Sequence, residues 1–188
     1  GLARMFGIVF PANFNSPYKA SNIIGFWRCW HMTLSRFLRD YLYIPLGGSH
    51  CSPWRRHANL MVTMLLGGLW HGAGWTFIIW GGLHGCYLVI NHLWQTWSAG
   101  RLAGLSLGWL RLGRVSGLCL TFLCVVLAWV FFRAESVSAA LTMLDAMAGN
   151  NGLGKSDEYF RGNSEVNFLL LSALVVWCAP NVQEILQK

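Results

Sequence analysis

Leu66-Gly67-Gly68-Leu69-Trp70-His71-Gly72-Ala73-Gly74-Trp75 lies inside a stretch, His57 to Gly100, that contains no Lys, Arg, Asp or Glu. A membrane-spanning helix takes about 20 predominantly apolar residues at about 1.5 Å rise each, so the stretch has room for two spans. Gly67, Gly68, Gly72, Gly74, Gly81, Gly82 and Gly85 would each weaken a helix in water. Between packed helices they let backbones approach, or let a helix break where protein covers it. The expected fold class is all-α, a polytopic transmembrane helical protein.

Composition agrees. Of 188 residues, 55% are hydrophobic and 11% charged, against about 25% charged in a soluble domain. The 11 Trp suit a bilayer, because the indole is apolar and its N–H seeks a partner at the headgroups. The net charge of +7 comes from basic residues beside apolar runs, so membrane lipids are the expected partners; no RNA-module signature or Lys-rich tail points to nucleic acid. The cysteines Cys29, Cys51, Cys86, Cys119, Cys124 and Cys178 form no C-x-x-C pair, and read as small buried hydrophobes rather than disulfides or metal ligands. The opening Gly1-Leu2-Ala3-Arg4 has no initiating Met, and the chain is read as part of a longer protein.

Two more apolar segments follow. Val115 to Phe132, closed by Arg133, is a clean span; 166–183 is a second, interrupted by Pro180. Arg101, Arg111 and Arg114 precede the first with no acid among them, whereas 134–165 carries Glu135, Asp145, Asp157, Glu158 and Glu165 against Lys155 and Arg161. The Lys/Arg bias places 98–114 in the cytoplasm, 134–165 outside as an extracytoplasmic loop, and the C-terminus back in the cytoplasm.

Residues 22–43 have another pattern. Trp27, Trp30, Leu34, Phe37, Leu38 and Tyr41 recur at helical spacing as an apolar stripe, and Arg28, His31, Ser35 and Arg39 share the adjoining polar face. The arginines predict an in-plane or protein-buried amphipathic helix. Ser21 or Asn22 could cap its start, and Pro45 with Gly47-Gly48 ends it.

His71 is the leading chemical candidate. An imidazole deep in an apolar run is costly unless it is hydrogen-bonded or opens on a wet cavity, and a neutral ring can take a proton from a hydroxyl and pass it on. The alternative is a histidine that ties two helices together. His31 is the second candidate; Arg28 and Arg39 beside it could hold headgroup phosphates, phosphates of an acyl donor, or helix carbonyls. His84 follows His71 by 13 residues, about 20 Å if one helix joins them, too far to share a metal unless the helix breaks. No two histidines are three to five apart, so no zinc motif is expected. His50, His57 and His92 flank apolar runs and read as interfacial. Asp40 beside Arg39, and four residues after Arg36, reads as an ion pair. No G-x-S-x-G elbow, phosphate-binding Gly-rich loop or dinucleotide fingerprint occurs.

A longer, ordered text carries a resemblance. It runs Phe10-Pro11-Ala12-Asn13-Phe14-Asn15-Ser16-Pro17-Tyr18, Phe26-Trp27-Arg28-Cys29-Trp30-His31-Met32-Thr33-Leu34-Ser35, Arg39-Asp40-Tyr41-Leu42-Tyr43-Ile44-Pro45-Leu46-Gly47-Gly48, Gly68-Leu69-Trp70-His71-Gly72-Ala73, Trp80-Gly81-Gly82-Leu83-His84-Gly85 and Trp129-Val130-Phe131-Phe132-Arg133-Ala134. Over about 10–134 the chain resembles the membrane-bound O-acyltransferases, specifically the bacterial branch similar to alginate O-acetylase. Cys29 stands where that family usually has Arg or Asn.

The resemblance implies a ring of transmembrane helices with in-plane or re-entrant segments. Residues 1–188 would be the C-terminal part of one such domain: an amphipathic, in-plane region at 10–58, the catalytic-histidine spans at 59–98, a span at 115–132, the loop at 134–165 and a span at 166–183. It implies a multi-pass protein of the bacterial cytoplasmic (inner) membrane. His71 takes the family's catalytic position and His31 the second functional one. Trp70, Trp75, Arg28, Ser35, Arg39 and His84 are expected along the substrate or donor path, with an indole N–H of Trp70 or Trp75, or a backbone N–H, at the oxyanion. No bound cofactor or metal is expected; the donor would be acetyl-CoA or another acyl thioester. The acceptor would be an extracytoplasmic polysaccharide, alginate or another exopolysaccharide, reached with a periplasmic SGNH-type acetyltransferase partner. D-alanyl transfer to teichoic acid is the nearby alternative; a transporter or channel module and an inactive fragment are the alternatives of another class.

Overall fold

The computed structural model describes residues 2–101, 104, 106–150 and 163–186. All regular structure among them is helical: α1 (Leu2–Met5), α2 (Ile23–Cys29), α3 (Met32–Leu38), α4 (Pro53–His71), α5 (Trp75–Ser98), α6 (Leu107–Arg133), α7 (Val137–Met147), α8 (Asn163–Cys178) and α9 (Val182–Leu186). A 3-10 turn at Pro17–Lys19 precedes α2, and α3 runs on into a wider π turn at Arg39–Tyr43.

The charge-free stretch forms a helical hairpin. α4 and α5 pack along their length, joined by Gly72-Ala73-Gly74. Glycine makes that contact possible: a Cβ on Gly68 would strike the carbonyl oxygen of Phe77, and one on Gly81 that of Met64. Small residues at such a crossing bring the backbones together, as in membrane helix pairs. Gly72 is required for a different reason, since a Cβ there would lie 2.6 Å from the Phe77 ring.

α6 lies against α5 and contains the span expected at 115–132, extended at its N-terminal end through Arg111 and Arg114. Among the described residues it is the one helix long and apolar enough to cross a membrane alone. α4 and α5 carry more polar and glycine positions because their facing sides meet protein. The core joins four helices: Ile23, Phe26 and Trp27 of α2, Met64 of α4, Trp80 and Leu88 of α5, and Val125 and Ala128 of α6.

Two expectations change. The helix expected over 22–43 is broken at Trp30-His31, where His31 takes a left-handed backbone (φ 41, ψ 55). The expected cap does form: the Asn22 side chain accepts from the Gly25 N–H at 2.8 Å. The expected 134–165 loop contains α7, whose N-cap Ser136 accepts from the Ala139 N–H at 3.1 Å; positions 151–162 of it lie outside the described residues. The segment at 166–183 is helical to Cys178, stops before Pro180, and resumes as α9. It is held by its end: the Trp177 indole donates to the Tyr18 carbonyl at 3.1 Å, and Lys19 donates to that of Ala179 at 2.6 Å. The apolar side chains Phe168, Leu169, Leu170, Leu171 and Leu174 of α8 stay exposed.

Candidate active site

His71 is the last residue of α4, and the turn that follows aims its ring into a box of aromatics drawn from three helices. Trp70 precedes it at 5.3 Å between ring centroids; Phe77 and Trp80 of α5 stand at 6.4 and 5.3 Å, and Phe132 of α6 at 5.1 Å. Phe132 also packs on Phe77 and Trp80, at 5.2 and 5.3 Å, so the walls brace one another. The ring is half-buried and Trp70 and Trp75 are exposed, which leaves the imidazole reachable at the mouth of an apolar box. A neutral ring in such a place can exchange a proton with a hydroxyl while water is restricted.

The break in the amphipathic segment falls at His31 itself, which stands ahead of α3 in a left-handed backbone. The break is built from outside the helix. Asn13 accepts at its backbone oxygen from the Met32 N–H (2.8 Å), and at its side-chain oxygen from the Thr33 N–H (3.1 Å) and the Thr33 hydroxyl (2.8 Å). It thus satisfies first-turn donors that His31 itself leaves free. His31 Nδ1 is buried with no partner among the described residues, and Phe14 lies 5.9 Å from its ring.

His84 is elsewhere in character. It is 1% exposed; its Nδ1 accepts from the Trp27 indole N–H at 3.3 Å, and Phe26, Trp80 and Tyr87 enclose it. The estimate of 20 Å between His71 and His84 assumed an unbroken helix. With the chain reversed at Gly72–Gly74, both rings flank Trp80, at 5.3 and 5.0 Å.

Arg28, Ser35 and Arg39 are brought together in a different place. They line a cavity of about 440 Å³ with Trp27, Arg36, Thr63, Met64, Leu88 and His92, in which Trp27 is the wall shared with the His84 cluster. Arg39 is paired with Asp40 at 2.7 Å, on the surface. Trp75 begins α5 beyond the turn, and its ring is not among those stacked around His71. Among the described residues, no three His, Cys, Asp or Glu side chains gather as a metal site.

Sequence reasoning gave no separate role to Asn13, Phe77, Trp80 and Phe132. All but Phe77 lie in segments that carried the resemblance. Nothing in the segment that holds Asn13 marks it as the partner of a helix that starts 19 residues further on.

The family described as MBOAT, membrane-bound O-acyltransferase, matches residues 2–127. The chain is 43% identical over 183 residues to a peptidoglycan O-acetyltransferase of Helicobacter pylori, covering 96% of this chain and 33% of that protein. It is 44% identical over 179 residues to a probable alginate O-acetylase of Pseudomonas aeruginosa, covering 94% and 32%. A teichoic acid D-alanyltransferase of Streptococcus thermophilus is 32% identical over 100 residues, 50% of this chain and 24% of that one. The chain spans about a third of the length of the O-acetyltransferase relatives it matches.

Proposed function

The chain belongs to the membrane-bound O-acyltransferase family, and from that premise we propose that it forms the C-terminal, catalytic-histidine part of a multi-pass enzyme of the bacterial cytoplasmic membrane. That enzyme moves acetyl groups from a cytoplasmic thioester, such as acetyl-CoA, toward hydroxyls of an extracytoplasmic glycan. The observation that carries the reading is His71, held half-buried at a helix break between Trp70, Phe77, Trp80 and Phe132, inside the matched segment.

In this reading His71 accepts the proton of the acceptor hydroxyl as its oxygen attacks the thioester carbonyl. The C–S bond breaks, and protonated His71 gives the proton to the departing sulfur, which leaves as the thiol. His31 orients the acceptor, the donor or the His71 ring, and an indole N–H of Trp70 or Trp75 or a backbone N–H faces the oxyanion. His84, enclosed and bonded to Trp27, supports Trp80 from behind.

Acetyl rather than D-alanyl transfer is favoured by the stronger match to relatives named as O-acetyltransferases, 43–44% identical over nearly the whole chain, than to those named as D-alanyltransferases, 30–32% over half of it. The attacking hydroxyl belongs to a polysaccharide, alginate-like or of the cell wall, or to an SGNH-type periplasmic partner that carries the acetyl group on to it. The test is the acetyl content of surface glycans in cells that carry full-length His71→Ala or His71→Gln at wild-type protein level. Loss in both variants is expected, and wild-type content in both would remove His71 from the reaction.

A further inference from the structure

One end of the bundle is marked for a membrane interface. The N-terminal end of α4, the C-terminal end of α5 and the N-terminal end of α6 lie together, because α4 and α5 are antiparallel and Phe132, near the end of α6, meets His71 at the opposite end. This shared end carries Arg55, Arg56, Arg101, Arg111 and Arg114, with no acid on these segments. It also exposes Trp54, Trp94, Trp97 and Trp109, with the Arg101 guanidinium over the Trp97 ring at 4.6 Å. Exposed tryptophans beside arginines, at one level on three helices, are the signature of the headgroup layer.

The cavity of about 440 Å³ lies between this end and the middle of the α4–α5 hairpin. Its lining joins Leu88 and His92 of α5 and Leu60, Thr63 and Met64 of α4 to Arg28 of α2 and Arg36 of α3, and among the described residues no carboxylate lines it. Arg39 reaches it already bonded to Asp40, which leaves Arg28, Arg36 and His92 to face an incoming anion. The floor is apolar, with Trp27, Leu38, Met64 and Leu88 buried there. Next to the cationic rim, Phe37, Tyr41 and Ile44 project exposed from α3, the π turn and the residue that ends it. A soluble anion would need only the cationic rim. A cationic rim over an apolar floor, on the side of the bundle that carries the exposed tryptophans and beside exposed aromatics, fits a molecule that is anionic at its head and apolar below it.

We propose that this cavity is a binding site for the phosphate headgroup of an anionic membrane phospholipid in the leaflet at the basic end of the bundle, with Arg28 and Arg36 on the phosphate and the Trp27–Met64–Leu88 floor beneath the glycerol. The assignment rests on the membrane placement and not on acyl transfer.

The experiment uses the full-length protein, exchanged into nanodiscs of phosphatidylcholine with about a fifth phosphatidylglycerol, with the phosphatidylglycerol retained after extraction measured by native mass spectrometry. Wild type and His71→Ala retain it alike, so the result is independent of catalysis. An Arg28→Gln/Arg36→Gln double variant binds it about thirtyfold more weakly, the loss expected for two basic side chains at an anionic surface. Arg133→Gln, at the other end of α6, leaves it unchanged. Should the double variant not fold, Met32→Glu, which places a carboxylate among the arginines without removing one, must weaken retention as well, and Arg28→Lys/Arg36→Lys must keep most of it. Retention unaffected by all the cavity variants overturns the site. Retention absent in wild type, with inorganic pyrophosphate binding in an Arg28- and Arg36-dependent way, overturns the lipid and assigns the cavity to a soluble phosphate.

Discussion

An imidazole inside an apolar helix needs partners for its ring nitrogens or an opening onto water. His84 has the first, accepting from Trp27 in a closed aromatic cluster, and His71 has the second, at the mouth of its box. Both could be flagged by their depth in a charge-free run, and depth could not tell them apart, since what differs is which rings close over each. Replacing His84 with Leu strands a buried indole N–H; it should cost about 1–3 kcal/mol of stability, read from the denaturation midpoint of the purified full-length protein. Transfer per folded molecule should change by only a few-fold. A large loss of rate at unchanged stability would instead put His84 on the substrate path. His31 shows a limit of a different kind: its left-handed backbone is imposed by Asn13, 18 residues away, and no periodicity within 22–43 contains that partner.

At the scale of the element, the α4–α5 hairpin was legible because glycines spaced through an apolar run mean close backbones or a break. The run did not say which glycine does which. The structure separates them: Gly68 and Gly81 face each other across the pair, Gly72 clears the Phe77 ring, and Gly82 meets only the tip of Leu65, 3.6 Å from where its Cβ would be. Gly81→Ala should therefore push the helices apart and destabilise by about 1–3 kcal/mol, while Gly82→Ala should be neutral or slightly stabilising. Thermal midpoints of the two variants check this, and equal midpoints would mean that the tight crossing is not where the glycines place it. The continuous helix expected over 22–43 is broken at His31, and its expected apolar stripe is only partly inward: Trp27, Leu34 and Leu38 are buried, whereas Phe37 and Tyr41 are exposed.

Across the whole molecule, the chain is polarised. The basic end carries the exposed Trp54, Trp94, Trp97 and Trp109, and the opposite end holds His71, Phe132 and the turn into α7. Charge counting already implied that order, with arginines before α6 and acids after it. Membrane-impermeant thiol labelling of full-length protein lacking its native cysteines checks it: Ser106→Cys should react from the cytoplasmic side and Ser136→Cys from outside, with α6 between them at about 40 Å. Labelling of both from one face would invalidate the topology. What composition could not supply is how the amphipathic segment, α4, α5 and α6 assemble, because the core that joins them is made of contacts between residues far apart in the chain.

The central claim is that His71, at the α4–α5 break, takes the proton during acyl transfer. Its most direct test is the rate at which purified full-length protein releases thiol from an acetyl thioester in the presence of acceptor, wild type against His71→Gln at matched folded fraction. A positioned general base contributes about 10²–10⁴-fold, so the account predicts a fall of at least a hundredfold with His71→Gln; a rate within a few-fold of wild type would contradict it.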